Sequence, residues 1–232
     1  MSNNALSLVV VTGASSGIGL SIATHLLSMG WQVLGLDVAQ PSLNHAAYQH
    51  HILDLTDVQA VERTLSNVNA YGFVHAAGVM RVGKLGQLDH EGAQTMWRLH
   101  DQAAAVIGNA LLPHMLEQHQ GRMVFIGSRV SQGLPGRGQY AATKAALVAM
   151  AKSWAAEVAP AGVTVNVVSP AATQTAMLSD PQREGSQPRL PPIGRLIQPQ
   201  EIADLVAYLL SPSAAAITGQ EITICGGSSL HH

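Results

Sequence analysis

The stretch Leu6-Ser7-Leu8-Val9-Val10-Val11-Thr12-Gly13-Ala14-Ser15-Ser16-Gly17-Ile18-Gly19 passes from a short apolar run through a glycine turn into a helix. Leu6 to Val11 reads as a buried strand of a parallel sheet, being apolar without alternation. Ile22, Leu26, Leu27 and Met29 follow at helical spacing, and Gly30 is a natural stop. Such a turn brings backbone N–H groups and a helix N-terminus against a pyrophosphate. The spacing is Gly13-x3-Gly17-x-Gly19, not the GxGxxG of the general dinucleotide fingerprint. Ser16, before the second glycine, brings no positive charge to the turn.

The same strand–helix alternation repeats outward. Trp31 to Leu36 is a second buried strand ending at Asp37, where a carboxylate can accept hydrogen bonds from an adenosine ribose and would repel a 2′-phosphate. A short third strand is expected at His51–Leu53, ending at Asp54, with Thr56 capping a helix that carries Val58, Val61 and Leu65. Tyr71 to His75 is the fourth strand, closing on Ala76-Ala77-Gly78, and a long helical region is expected from about Leu88 to Gln118. Arg122 to Ile126 leads to Gly127-Ser128, Val163 to Val168 leads to Ser169-Pro170, Glu201 to Leu210 is a helix, and Glu221 to Ile224 a last strand. Strands alternating with helices predict an α/β fold: a doubly wound, Rossmann-like parallel sheet, in one domain over residues 1–232. Between Met177 and Gln198 the composition shifts to prolines and glycines with few apolar residues, which reads as a surface segment.

Composition narrows the classes of partner. Hydrophobic residues make up 47% and charged residues 11%, so apolar surface should be covered in an oligomer. A formal net charge of −2 gives no reason to expect nucleic acid or an anionic membrane. No apolar run reaches spanning length and no charged n-region with an h-region opens the chain, so a cytoplasmic location is expected. The single cysteine, Cys225, fits a reducing compartment. The histidines lack the spacing of a metal site, and no metal is expected.

Chemistry enters at Gly138-Gln139-Tyr140-Ala141-Ala142-Thr143-Lys144, twelve residues beyond Ser128 at its tyrosine. Tyr140 and Lys144 share a helix face at i, i+4. Tyrosine ionises near pH ~10, and a neighbouring ammonium lowers that value toward what a general base needs.

With these residues placed, the chain resembles the short-chain dehydrogenases/reductases over nearly its whole length. The likeness rests on Thr12-Gly13-x3-Gly17-Ile18-Gly19, Asp54, Ala77-Gly78, Ser128, Tyr140-x3-Lys144, Asn166 and Ser169-Pro170. It also rests on Ile193-Gly194-Arg195 leading to Glu201-Ile202-Ala203, and on Ile217-Thr218-Gly219-Gln220 leading to Gly226-Gly227. The resemblance implies that Tyr140 is the catalytic acid/base, that Ser128 bonds the reacting oxygen, and that Lys144 binds the nicotinamide ribose. It places Gly13, Ser16, Gly17, Ile18, Gly19, Asp37, Ala77 and Gly78 along NAD, with Pro170, Thr173 and Thr175 near the nicotinamide. Asp54 and Leu55 would border the adenine, and residues 177–198 would form the substrate lid of a homotetrameric enzyme.

The departures are informative. Thirteen residues before Pro113, where the family usually has a catalytic asparagine, stands His100, expected to brace a water with a charge that changes near neutrality. The motif usually written NNAG is His75-Ala76-Ala77-Gly78, and Ala171 replaces a glycine after Pro170. Arg81 and Arg129 follow Gly78 and Ser128, where either could meet a substrate carboxylate. The expected reaction is NAD-linked interconversion of a secondary alcohol and its ketone. Two alternatives stand beside it. One is a dihydrodiol dehydrogenase forming a catechol of the 2,3-dihydro-2,3-dihydroxybenzoate type, suggested by Ala76–Gly83. The other is a nucleotide-binding protein of the same fold without turnover.

Overall fold

The computed structural model describes residues 7–179 and 190–230. Seven parallel strands form one sheet: β1 Leu8–Thr12, β2 Gln32–Asp37, β3 Tyr48–Ile52, β4 Gly72–His75, β5 Gly121–Ile126, β6 Val163–Pro170 and β7 Glu221–Ile224. Their order across the sheet is β3-β2-β1-β4-β5-β6-β7, so the order reverses between β1 and β4. Ligands of doubly wound sheets bind beyond the carboxyl ends of strands at such a reversal. The Rossmann-like fold expected from the sequence is the fold observed.

The strands sort their own side chains. Val10, Phe73, Phe125, Val165 and Val167 face one layer, made by α2 Val58–Leu65, α4 Ala103–Glu117 and α5 Gly138–Val158. Val9, Val11, Val74, Val124 and Val168 face the other, made by α1 Gly17–Ser28 and α6 Pro199–Leu210. Successive Cβ atoms of a strand point to opposite faces, so a run that is apolar throughout supplies both cores.

Three elements differ from expectation. The third strand begins earlier and ends at Ile52, because Tyr-Gln-His-His-Ile is a half-exposed edge strand with no apolar run to betray it. Leu53 still donates its N–H to Asp37 O at 2.7 Å. Asp57, not Thr56, caps α2 by accepting from Ala60 N, because Asp54 already holds the Thr56 N–H and hydroxyl at 2.9 and 2.8 Å. The long helical region is interrupted. After α3 His90–Trp97 comes a π-helical turn, Arg98–Gln102, before α4 resumes. Single π-turns of this kind recur at functional sites.

The segment expected as a lid falls partly outside the described residues. Ala176–Ser179 forms a 3₁₀ turn, and the chain is described again from Leu190. Its last part is anchored: Ile197 is buried and pairs with Ala172 and Gln174 through two backbone bonds, and Arg195 forks onto Glu201 at 2.7 and 2.9 Å. Among the described residues no helix is long and apolar enough to cross a membrane.

Thr12 closes the sheet's centre. Its hydroxyl donates to His75 Nδ1 at 3.0 Å and accepts from Ala76 N and Ala77 N at 3.0 and 3.1 Å. Replacing it with the isosteric valine leaves these buried groups unpartnered. Thr12→Val should therefore lose about 2 kcal/mol or more of folding stability, measured by urea denaturation, with the slope unchanged.

Candidate active site

The site gathers where β1, β4, β5 and β6 end. The glycine turn forms first because Gly13 has φ +66° and Gly17 φ +53°, conformations that side chains rarely adopt. A Cβ on Gly19 would strike the Gly13 carbonyl oxygen, so this spacing lets the helix start directly against the strand end. Ser16 stands at the N-cap of α1 without a side-chain cap bond, which leaves the first-turn N–H groups to an anion.

Asp37 leaves the end of β2 and lies on this turn. Its Oδ2 accepts from Ser15 N and its Oδ1 from Ala39 N, both at 3.0 Å. Thr175 reaches over from beyond β6: a Cβ at Gly17 would lie 3.4 Å from its Cγ2. Thr173 is buried and donates to Ala171 O at 3.0 Å, beyond Pro170 at the end of β6. These features fit a dinucleotide: a glycine cradle, an uncapped helix start and a carboxylate at the second strand end. The two residues expected at the adenine lie between β3 and α2. The Asp54 carboxylate holds its own turn, and the Leu55 side chain points into the core beside Leu53 and Val61.

Tyr140 and Lys144 come together as their spacing predicts. Both are buried on α5, with Lys144 Nζ 6.0 Å from the centre of the Tyr140 ring. Tyr140 packs with Met80 and Met96 and against the partly buried Val79, Val82 and Val130. Val130 also donates its N–H to Ser128 Oγ at 3.2 Å, which brings the serine's turn to the tyrosine's pocket and leaves the Ser128 hydroxyl hydrogen for a ligand. Lys144 Nζ donates to Ile126 O at 2.9 Å. Burial pulls the lysine down to about 8, with Asp101 acting against that fall.

His100 is fully buried within the π-turn, edge-on to Tyr140 with ring centres 5.7 Å apart. Its Nε2 accepts from Val79 N at 3.1 Å, so the proton of the neutral ring is on Nδ1. That Nδ1–H lies 2.9 Å from Thr143 Oγ1, whose hydroxyl donates to Tyr140 O at 3.0 Å. Both ring nitrogens are thus committed, and no ring atom remains to brace a water. Nor does the ring titrate near neutrality as expected. Burial first, then Lys144 and His75, hold it well below the ordinary histidine range.

His75, at the first position of the motif usually written NNAG, bridges β1 and the π-turn. Its Nδ1 accepts from Thr12 and its Nε2–H donates to Leu99 O at 3.0 Å, a carbonyl within the π-turn. Burial pushes it down to about 3, so it too stays neutral. Gly78 is small for a reason: a Cβ there would lie 3.1 Å from His100 Nε2 and 3.7 Å from Lys144 Nζ. Of the two arginines, Arg81 donates to Met80 O and Arg129 to Ser228 O. Asn166 bonds Ile217 O and Gln220 N and ties β6 to the loop before β7.

Sequence reasoning missed Thr143 and Asp101. Thr143 lies at i+3 from Tyr140 and beside Lys144, a spacing that could have flagged it. Asp101 sits in what reads as continuous helix, where the turn's inward bulge leaves no trace. Among the described residues no group of histidine, cysteine and acidic side chains could hold a metal ion.

A doubly wound sheet with this cradle and this buried tyrosine–lysine pair defines a dinucleotide-dependent oxidoreductase architecture. The family model for enoyl-(acyl carrier protein) reductases matches residues 13–229. The 3-oxoacyl-[acyl-carrier-protein] reductase FabG of Escherichia coli K12 is 36% identical, covering 95% of this chain and 96% of that protein. That of Thermotoga maritima is 29% identical, covering 94% and 96%. Among solved structures, ligand-free Thermoplasma acidophilum aldohexose dehydrogenase superposes with a TM-score of 0.89 at 26% identity, covering 97% of this chain and 95% of that one. The chain belongs to the short-chain dehydrogenase/reductase family, whose members use a nicotinamide cofactor. It is an oxidoreductase acting on an alcohol or ketone group.

The bonding of His100 gives a direct test. Nitrogen NMR of labelled imidazoles, with His100→Asn identifying the signal, should show the Nδ1–H tautomer. The signal should not titrate from about pH 8 to about pH 6, while exposed histidines change near ~6.5. A depressed folded-state pKa keeps the ring neutral throughout that window.

Proposed function

We propose that the protein interconverts a secondary alcohol and its ketone with NAD, Tyr140 acting as acid/base. The observation that carries this reading is the buried Lys144 ammonium beneath the Tyr140 ring, at the 6.0 Å given above. A cation sunk in a low-dielectric site acts strongly on whatever charge develops beside it. In oxidation the phenolate oxygen of Tyr140 takes the substrate hydroxyl proton; in reduction Tyr140 returns a proton to the carbonyl oxygen. Ser128 donates its hydroxyl hydrogen to the same reacting oxygen. Hydride exchange with the carbinol carbon is the chemistry the nicotinamide supplies when bound. Lys144 binds the ribose. His100 acts through Thr143 and Val79, holding the first turn of α5 and the loop after β4 in place.

The preference for NAD rests on Asp37. Its carboxylate is bonded to the backbone of the glycine turn itself, so it lies where an adenosine ribose would approach. It offers acceptors to the two ribose hydroxyls and repels a 2′-phosphate. Gly13, Ser16, Gly17, Ile18 and Gly19 hold the pyrophosphate, Ala77 and Gly78 flank the bound dinucleotide, and Pro170, Thr173 and Thr175 lie toward the nicotinamide. The segment 177–198 covers the substrate, and the enzyme works as a cytoplasmic homotetramer.

Two narrower substrate readings each have one support. The curated relatives are named as 3-oxoacyl-[acyl-carrier-protein] reductases, which favours a 3-oxoacyl thioester. The run Ala76–Gly83 favours a dihydrodiol yielding a catechol. Assays of secondary alcohols, a 3-oxoacyl thioester and a cyclic dihydrodiol, with product absorbance recorded, separate them. Retention of Ser128, Tyr140 and Lys144 together argues against a binding protein without turnover.

Tyr140→Phe should lower kcat by at least ~100-fold while NAD still binds. NAD should be preferred over NADP by roughly 10-fold or more in kcat/KM, and Asp37→Ala should narrow that gap mainly through the cofactor KM. Wild-type activity in the phenylalanine variant, or equal use of both cofactors by the parent, overturns the corresponding assignment.

A further inference from the structure

Among the described residues Asp101 is the one buried acid, with 1% of its surface exposed. Among the described residues neither carboxylate oxygen has a hydrogen-bond partner. It follows His100 in the π-turn, which packs against α3, α4 and α5. Each element presents few charges to it. Lys144 on α5 is the charged group that acts on Asp101, and the effect is mutual. His100 on its own turn and His75 on β4 are both held neutral. The acids of α3 and α4, Glu91 and Glu117, are exposed to solvent.

An unpaired carboxylate in the interior is costly, and a leucine of similar size would be stabilising there. The π-turn makes this arrangement. In an unbroken helix the register beyond His100 would differ, whereas the extra residue of the turn lets His100 and Asp101 both point inward. Lys144, meanwhile, directs its ammonium to a backbone carbonyl, which satisfies a hydrogen bond but supplies no neutralising charge.

We propose that Asp101 is a positioning residue that acts through Lys144: its buried carboxylate is the counter-charge that keeps the lysine an ammonium beneath Tyr140. The inference rests on the role given to Lys144 above. Burial alone drives the lysine toward its neutral form, and the carboxylate opposes that drive. Burial likewise raises Asp101 to about 7, and Lys144 opposes that rise. Each group thus favours the charged form of the other. Loss of the carboxylate therefore lowers the lysine's pKa, and its charge disappears at a lower pH.

The chain has three lysines, Lys84, Lys144 and Lys152, so carbon NMR of lysine labelled at Cε reads each one separately. Lys84 and Lys152 are exposed and serve as internal references. In the parent, Lys144 should titrate well below both. In Asp101→Asn and Asp101→Leu its midpoint should fall by a further unit or more, with the references unmoved, about the scale of a nearby opposite charge. The alkaline limb of kcat for ketone reduction should move down by the same amount, and Asp101→Leu should melt no lower than the parent. A Lys144 midpoint unchanged within ~0.2 units in both variants overturns the proposal, as does a large loss of thermal stability without that shift. The NMR readout is independent of turnover. Failure of the Tyr140 assignment would appear as activity in Tyr140→Phe with the lysine shift intact.

Discussion

An ammonium buried away from water is the constraint around which the site is built. Lys144 is brought beside Tyr140 by helix periodicity, but its burial strips it of hydration and pulls it toward neutrality. Everything close to it answers that problem. The Ile126 carbonyl accepts one hydrogen bond at the end of β5, the aromatic face of Tyr140 lies above, and Asp101 supplies negative charge from the neighbouring turn. The two histidines nearby add no positive charge, since burial keeps both neutral.

The neutral histidines link the sheet to the helix that carries Tyr140 and Lys144. From Thr12 on β1 the hydrogen bonds run to His75 on β4 and on to the Leu99 carbonyl in the π-turn. From the same turn they run through His100 to Thr143 and the carbonyl of Tyr140 on α5. In each histidine one nitrogen donates and the other accepts, so the tautomers are fixed by the partners. Such a fully satisfied buried network is rigid, because any rotation leaves a polar group unpaired in a low dielectric. It offers a physical route by which a chain with His75 and His100 at two of the family's asparagine positions can still hold its tyrosine helix and its Ala76–Gly78 loop in register.

The cofactor side of the cleft is held by a different kind of contact. Asp37 bonds the backbone of the glycine turn, and Ser42 donates to Ser15 O at 2.7 Å from the other side. The turn is thus fixed by groups that also set the local charge, since the carboxylate that shapes the loop is itself an anion. Opposite, Ser169 and Ser131 both donate to Glu221, at 2.6 and 3.3 Å, joining the end of β6 and the start of β7 to the turn after Ser128.

Much of this was legible in the chain itself. Apolar runs without alternation, each followed by a turn and a helical period, specify a parallel sheet covered on both faces, since no other arrangement buries both sides of such strands. Helix periodicity alone placed Tyr140 and Lys144 on one face, and the glycine spacing gave the turn. What the sequence could not convey were the contacts between segments far apart. The polar edge strand Tyr48–Ile52 carried no apolar signal. The buried Ile197 lay in a stretch whose composition reads as surface. The inward turn of Asp101 depended on a π-bulge that local propensity does not encode. Likewise His100 has both nitrogens engaged because Val79 and Thr143, 21 residues before it and 43 after it, meet in space around its ring. Local pattern fixes which residues lie on a face; only packing decides what that face meets, and hence which polar atoms are left for chemistry.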